Sequence, residues 1–181
     1  MTRYIAFLRA INVGGHTVKM DQLRNLFAAL GFAHVETFIA SGNVIFDAEA
    51  ADTETLERAV ASHLQQSLGY PVATFIRTPA EVAAVARYQP FAVADTAEAG
   101  PSLYIGFLPA PPGDEAQVKV LGLRSAVDDF HVHGRELYWL SQTGMGRAQV
   151  SGATLEKALG MPTTLRNVTT VRKLAAKYAV Q

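Results

Sequence analysis

The sequence predicts an α+β protein built from two ferredoxin-like (βαββαβ-type) lobes with antiparallel sheets, plus extra C-terminal helices. Three observations carry this expectation. Residues 1–77 read as β-α-β-β-α-β, the order of the split βαβ plait. From residue 79 the order β-α-β-β-α recurs, with an additional helix at each end. The chain has 181 residues, 49% of them hydrophobic, enough for two small cores. The boundary is expected near Thr78, which gives an N-terminal lobe of 1–78 and a C-terminal lobe of 79–181.

In the first half, residues 3–9 form a β-branched and aromatic run of strand length. A Gly-Gly loop follows, then apolar positions 20, 23, 26, 27 and 30 at helical spacing, with Gly31 at the C-terminal cap. Residues 33–39 and 43–47 read as strands joined at Ser41-Gly42. Asp52 is the expected N-cap of a second helix, which carries Leu56, Val60, Leu64 and Leu68 at four-residue spacing and ends at Gly69. A strand from about Val72 to Arg77 closes the lobe.

In the second half, Thr78, Pro79 and Glu81 form a capping box with proline at the first helical position. Gln89-Pro90 ends that helix, and Phe91–Pro101 reads as a loop. A strand at 103–108 leads through Pro109-Ala110-Pro111-Pro112-Gly113 to a short helix from Asp114 to about Leu121. Strands at 127–133 and 135–140 turn at Gly134. A glycine-rich loop, Thr143-Gly144-Met145-Gly146, precedes helical material around 148–159. The last helix is expected from about Asn167 to Ala179.

Composition narrows the function classes. Cysteine is absent, which removes disulfides, thiolate nucleophiles, iron–sulfur clusters and Cys-based zinc sites. Sixteen Lys+Arg balance sixteen Asp+Glu, unlike a strongly basic nucleic-acid binder. The balance is uneven along the chain. Residues 161–181 carry Arg166, Arg172, Lys173 and Lys177 and no acid, whereas 79–160 hold six basic and nine acidic residues. No apolar stretch approaches the roughly 20 residues of a membrane helix. The N-terminal apolar run is too short for a signal-peptide core, so a cytoplasmic location is expected.

Three segments are candidate sites. In Arg9-Ala10-Ile11-Asn12-Val13-Gly14-Gly15-His16, adjacent glycines let backbone N–H groups converge on an anion, and Arg9 offers a fork for carboxylate or phosphate. The segment lacks the endings of a Walker loop and of a dinucleotide fingerprint. A plain strand-to-helix connection needing glycines would look the same. Ser41-Gly42-Asn43 is the second candidate, although turn chemistry alone accounts for it. The loop after the first strand lies at the opposite or an adjacent rim, so Ser41 and Asn43 need not meet Arg9 and Asn12. The third is the basic tail, where Arg166 and Asn167 beside a helix start suit phosphate, and where Asn167 equally suits a cap. His131 and His133 share one strand face, but two histidines do not make a metal site, and no metal or other cofactor is implied. Asp128-Asp129 reads as a polar strand start.

The motifs together resemble the bacterial family catalogued as domain of unknown function 1697. The resemblance lies in Phe7-Leu8-Arg9-Ala10-Ile11-Asn12-Val13-Gly14-Gly15, Lys19-Met20, Leu23, Gly31-Phe32 and Ser41-Gly42-Asn43-Val44-Ile45-Phe46. It continues in His133-Gly134-Arg135-Glu136-Leu137-Tyr138, Gly146-Arg147 and Thr164 to Lys173. It covers essentially the whole chain and implies two ferredoxin-like α+β lobes, with no activity, cofactor or catalytic residue. Val168 stands where the family usually has an aromatic, which weakens a stacking role there. Ala10 and Ala40 stand where Gly and Gln are frequent.

Three functions remain in view. The leading one is binding of an anionic, phosphate-bearing ligand, a nucleotide or nucleic acid, through Arg9, Asn12, Gly14, Gly15, Arg147, Arg166 and Asn167, with His16, Ser41 and Asn43 at the site. The second is an enzyme acting on a small phosphorylated or carboxylated metabolite, with His16 as acid/base and Arg9 as oxyanion partner; it requires a pocket containing both. The third is a non-catalytic protein that assembles, as a homo-oligomer for instance, through a sheet edge or helix face.

Overall fold

The computed structural model describes residues 1–9, 11–12, 15–39, 42–92, 101–145 and 149–179. In chain order the elements are β1 (Thr2–Leu8), α1 (Met20–Ala28), β2 (Ala33–Thr37), β3 (Asn43–Ala48), α2 (Thr53–Leu68), β4 (Thr74–Arg77) and α3 (Pro79–Arg87). They continue with β5 (Ser102–Phe107), α4 (Asp114–Leu121), β6 (Asp128–His133), β7 (Glu136–Ser141), α5 (Gly152–Leu159), β8 (Thr164–Asn167) and α6 (Val168–Tyr178). The strands form two four-stranded antiparallel sheets, ordered β2-β3-β1-β4 and β6-β7-β5-β8. The expected α+β class and two sheets are thus present. One unit comprises Met1–Ala83 with Leu174–Gln181, and the other Ala84–Lys173.

Local chemistry sets the helix ends. Asp52 Oδ1 accepts from the Thr55 N–H at 2.8 Å, and Gly69 closes α2 at φ 84°. Thr78 Oγ1 accepts from the Glu81 N–H at 3.2 Å while Glu81 Oε2 accepts from the Thr78 N–H at 2.8 Å, the reciprocal capping box that starts α3. Ser151 caps α5 by accepting from the Thr154 N–H at 3.1 Å.

In the first unit, Tyr4, Ala6, Leu8, Val44, Phe46 and Ile76 pack with Leu23 and Phe27 of α1 and Leu56, Val60 and Leu64 of α2. In the second, Tyr104, Leu108, Phe130, Leu137 and Trp139 pack with Val120 of α4 and Leu155 and Leu159 of α5. The alternate strand positions are also out of water: Ile5, Phe7, Ile45, Phe75 and Arg77 in one sheet, Ile105, Phe107 and Tyr138 in the other. Central strands buried on both faces explain the continuous apolar runs, without period-2 alternation, that these segments show in the sequence.

Several boundaries differ from the sequence reading by a few residues, as where β4 starts at Thr74 and α5 at Gly152, and two differences matter more. The run before the last helix is a strand, β8, paired with β5 from Tyr104↔Asn167 to Phe107↔Thr164. Thr164-Leu165-Arg166-Asn167 is short and mostly polar, with Thr164 its one β-branched residue; pairing with β5 makes it a strand. The strand expected over 33–39 ends at Thr37, because Ile39 takes φ 57° on entering the turn. Most of the loop expected at 91–101, namely 93–100, lies outside the described residues.

Candidate functional site

Antiparallel pairing of β1 with both β3 and β4 brings the carboxyl end of β1 beside the amino ends of its two neighbours. The Leu8 N–H donates to the Gly42 carbonyl and the Arg9 N–H to the Ala73 carbonyl, both at 2.9 Å. The loop after β1 and the β2–β3 turn, expected at opposite or adjacent rims, therefore share one rim, because antiparallel pairing sets the end of β1 against the start of β3. They touch there: a Cβ at Gly42 would stand 2.9 Å from Ile11 Cγ2 and 3.2 Å from Leu8 Cβ.

Arg9 is exposed at the strand end. Asn12 Oδ1 accepts from the Val18 N–H at 2.8 Å, which closes the loop across six residues. Gly15 takes φ 84° with no described residue within 4 Å of where a Cβ would be. His16 is exposed and stacks on Tyr70, with ring centroids 3.7 Å apart and planes inclined by 20°. Tyr70 follows the αL cap of α2 and packs on the first core; its hydroxyl is buried without a hydrogen-bond partner among the described residues. Among the described residues no side chain caps the first turn of α1, whose N-cap position is Lys19. Asn43 serves the turn: it is 1% exposed, and its Nδ2 donates to the Phe38 carbonyl at 2.8 Å. Ile39, half exposed at φ 57°, places a strained β-branched residue at the same rim.

Arg9, Asn12, Gly15, His16 and Asn43 thus gather on the first unit. Gly14, Ser41 and Arg147 lie outside the described residues. Arg166 and Asn167 belong to the second unit. Arg166 is buried on β8, with Nη1 donating to Thr164 Oγ1 at 2.7 Å and to the Leu165 carbonyl at 3.0 Å; burial lowers its pKa to about 10. Asn167 Oδ1 accepts from the Thr169 N–H at 2.8 Å at the start of α6. The basic tail is therefore divided, with Arg166 buried and Arg172, Lys173 and Lys177 exposed.

Residues 1–138 match the family described as protein of unknown function DUF1697. The chain belongs to that family. It is also similar in structure to conserved bacterial protein SP0830 from Streptococcus pneumoniae, with 20% identity, a TM-score of 0.71 and 99% of each chain covered. No curated protein matches it. At that identity the likeness is one of fold, and the chemistry must come from this chain's own residues.

In this DUF1697 protein two open cavities of about 460 and 510 Å³ lie elsewhere. One is bounded by Arg3, Asp47, Thr78 and Tyr178, the other by Arg124, Asp128, Asp129 and Gln142; neither includes Arg9 or His16. Asp128 and Asp129 have separate structural tasks. Asp128 Oδ1 accepts from the Trp139 indole N–H at 2.8 Å, and Asp129 pairs with Arg124 at 2.6 Å. His131 and His133 do share a face, where Tyr88 meets both: its hydroxyl lies 2.8 Å from His131 Nε2 and its ring stacks on His133 at 4.1 Å. Burial, then the neighbouring His133, lowers the His131 pKa. Among the described residues no group of three or more His, Asp or Glu could hold a metal ion, and no helix is long and apolar enough to cross a membrane.

Tyr70 is the member of the rim that sequence reasoning missed. Its signal was an aromatic between Gly69 and Pro71 just before the fourth strand, the position that pairing with β1 carries back to the Arg9 loop.

Proposed function

We propose that the protein binds a phosphate-bearing anion at the β1–α1 rim of its first unit, and that each unit is a ferredoxin-like plait. The plait reading is supported by the strand order β2-β3-β1-β4, repeated as β6-β7-β5-β8. The observation that carries the binding reading is the shared rim: exposed Arg9, the Gly15-His16 loop and the turn at Gly42 stand at one sheet end. A guanidinium there can hold an anion through paired, charge-assisted hydrogen bonds. At the end of the same loop, the first turn of α1 adds the backbone donors and the positive dipole end of a helix N-terminus.

Titration calorimetry of the full chain with inorganic pyrophosphate at low salt tests this reading. Binding should weaken about tenfold in Arg9→Ala, as expected for a lost charge-assisted hydrogen bond, and should fall further as salt rises. No heat at low salt, or equal affinity in the variant, would overturn it.

A further inference from the structure

The anion reading leaves the ring stack at the same rim unused. His16 is not buried by its contact with Tyr70. One imidazole face lies on the phenol at 3.7 Å, yet the residue remains exposed, so the opposite face is on the outside of the stack. Tyr70 is fixed from below, packed on the core formed by β1, β3, α1 and α2. The pair is therefore an anchored aromatic ledge, with a planar, heteroaromatic outer surface just after the glycine at φ 84°. Arg9 begins the same loop, seven residues earlier.

A flat outer ring carried by Tyr70, three residues before the Ala73 carbonyl that takes the Arg9 N–H, matches a ligand with two parts, a planar ring and an anionic group. Purely loop-holding stacks do not need an exposed outer face, and a simple anion does not need a ring. Resting on the anion reading above, we infer that the ligand is a nucleoside phosphate whose base stacks on the outer face of His16 while its phosphate meets Arg9. The shared chemistry covers a free mononucleotide and a nucleotide within a single strand. Stacking would make recognition tolerant of base identity, because every base has a π-face.

The test compares pyrophosphate, adenosine 5′-monophosphate and a short oligoadenylate on the full chain. Adenosine monophosphate should bind more tightly than pyrophosphate. His16→Ala should lose roughly tenfold in affinity for the nucleotide and clearly less for pyrophosphate. His16→Phe, which keeps a flat ring without a titratable nitrogen, should retain the nucleotide. A stronger oligoadenylate complex would identify the strand as the source, and a weaker one the free nucleotide. Equal binding of pyrophosphate and nucleotide, unaffected by His16→Ala, would overturn the base-stacking inference and leave the anion reading standing. So would loss in His16→Phe matching that in His16→Ala. Failure of all three compounds to bind would overturn both.

Discussion

Asp47 near the end of β3 shows how single side chains hold the first unit's edge. Its two carboxylate oxygens take a forked contact from Arg3, at 2.9 and 3.2 Å, and Oδ2 also lies 2.9 Å from His34 Nδ1. Only 13% of the Asp47 side chain is exposed, whereas Arg3 retains 37%, so the pair is screened on one side. The hydrogen bond from Arg3, opposed by burial and aided by His34, lowers the Asp47 pKa. The sign of the pH effect follows. The unfolded carboxyl titrates near about 3.9, so in acid the unfolded chain binds the extra proton. The stabilisation is therefore complete above that value and is lost as the pH falls through the lower folded one. Urea unfolding at a series of pH values should show Asp47→Asn less stable than the parent at neutrality, with the gap closing as the pH falls below the usual carboxylate range. A gap independent of pH would assign Asp47 a packing role instead.

At the scale of the element, the β2–β3 turn and the β1–α1 loop make opposite demands of their glycines. Gly42 has φ 83° and no room: a methyl group there would meet Ile11 Cγ2 at 2.9 Å and the Leu8 carbonyl at 3.2 Å. Gly15 has φ 84° and open space. Gly15→Ala should cost only the left-handed backbone penalty, about 1 kcal/mol. Gly42→Ala adds overpacking against the strand end, for a total of about 2–4 kcal/mol. Thermal unfolding of the two variants would separate these, and equal losses would mean that Ile11 yields without cost. Much of this architecture was legible in the sequence because it is local. The capping box at Thr78 and Glu81, the Asp52 cap and the Gly69 end of α2 each depend on residues within four positions, whereas α1 has its C-cap at Ala29, two residues before the glycine expected to cap it. β8 was not legible, since four mostly polar residues become a strand only by pairing with β5 some sixty positions earlier. For the same reason the rim was half legible: Arg9 and the glycines announce themselves, whereas Tyr70 reaches His16 from 54 residues away.

At the scale of the whole molecule, the same bonding recurs in both units. Leu8 N–H to the Gly42 carbonyl is matched by Leu108 N–H to the Arg135 carbonyl, each at 2.9 Å. Arg77, opposite Ile5, and Arg166, opposite Ile105, are both buried arginines whose Nη1 donates to the preceding residue's carbonyl at 3.0 Å. The repeat is broken by the ends of the chain, because the first unit is completed by Leu174–Gln181. Leu174 is 0% exposed, and Tyr178 donates to Glu36 Oε2 at 2.9 Å and meets the Phe38 ring edge-on. Truncation after Lys173 removes both while leaving β8 and the first half of α6. Losing a buried leucine alone costs about 2–5 kcal/mol, and here that loss falls on the unit that begins the chain. Amide exchange should therefore accelerate in β2 and β3, next to the vacated Tyr178 position, while β5 and β7 keep their protection. Equal acceleration in both sheets would mean that the C-terminal turns of α6 stabilise the second unit as much as the first, and the division at Lys173 would have to move.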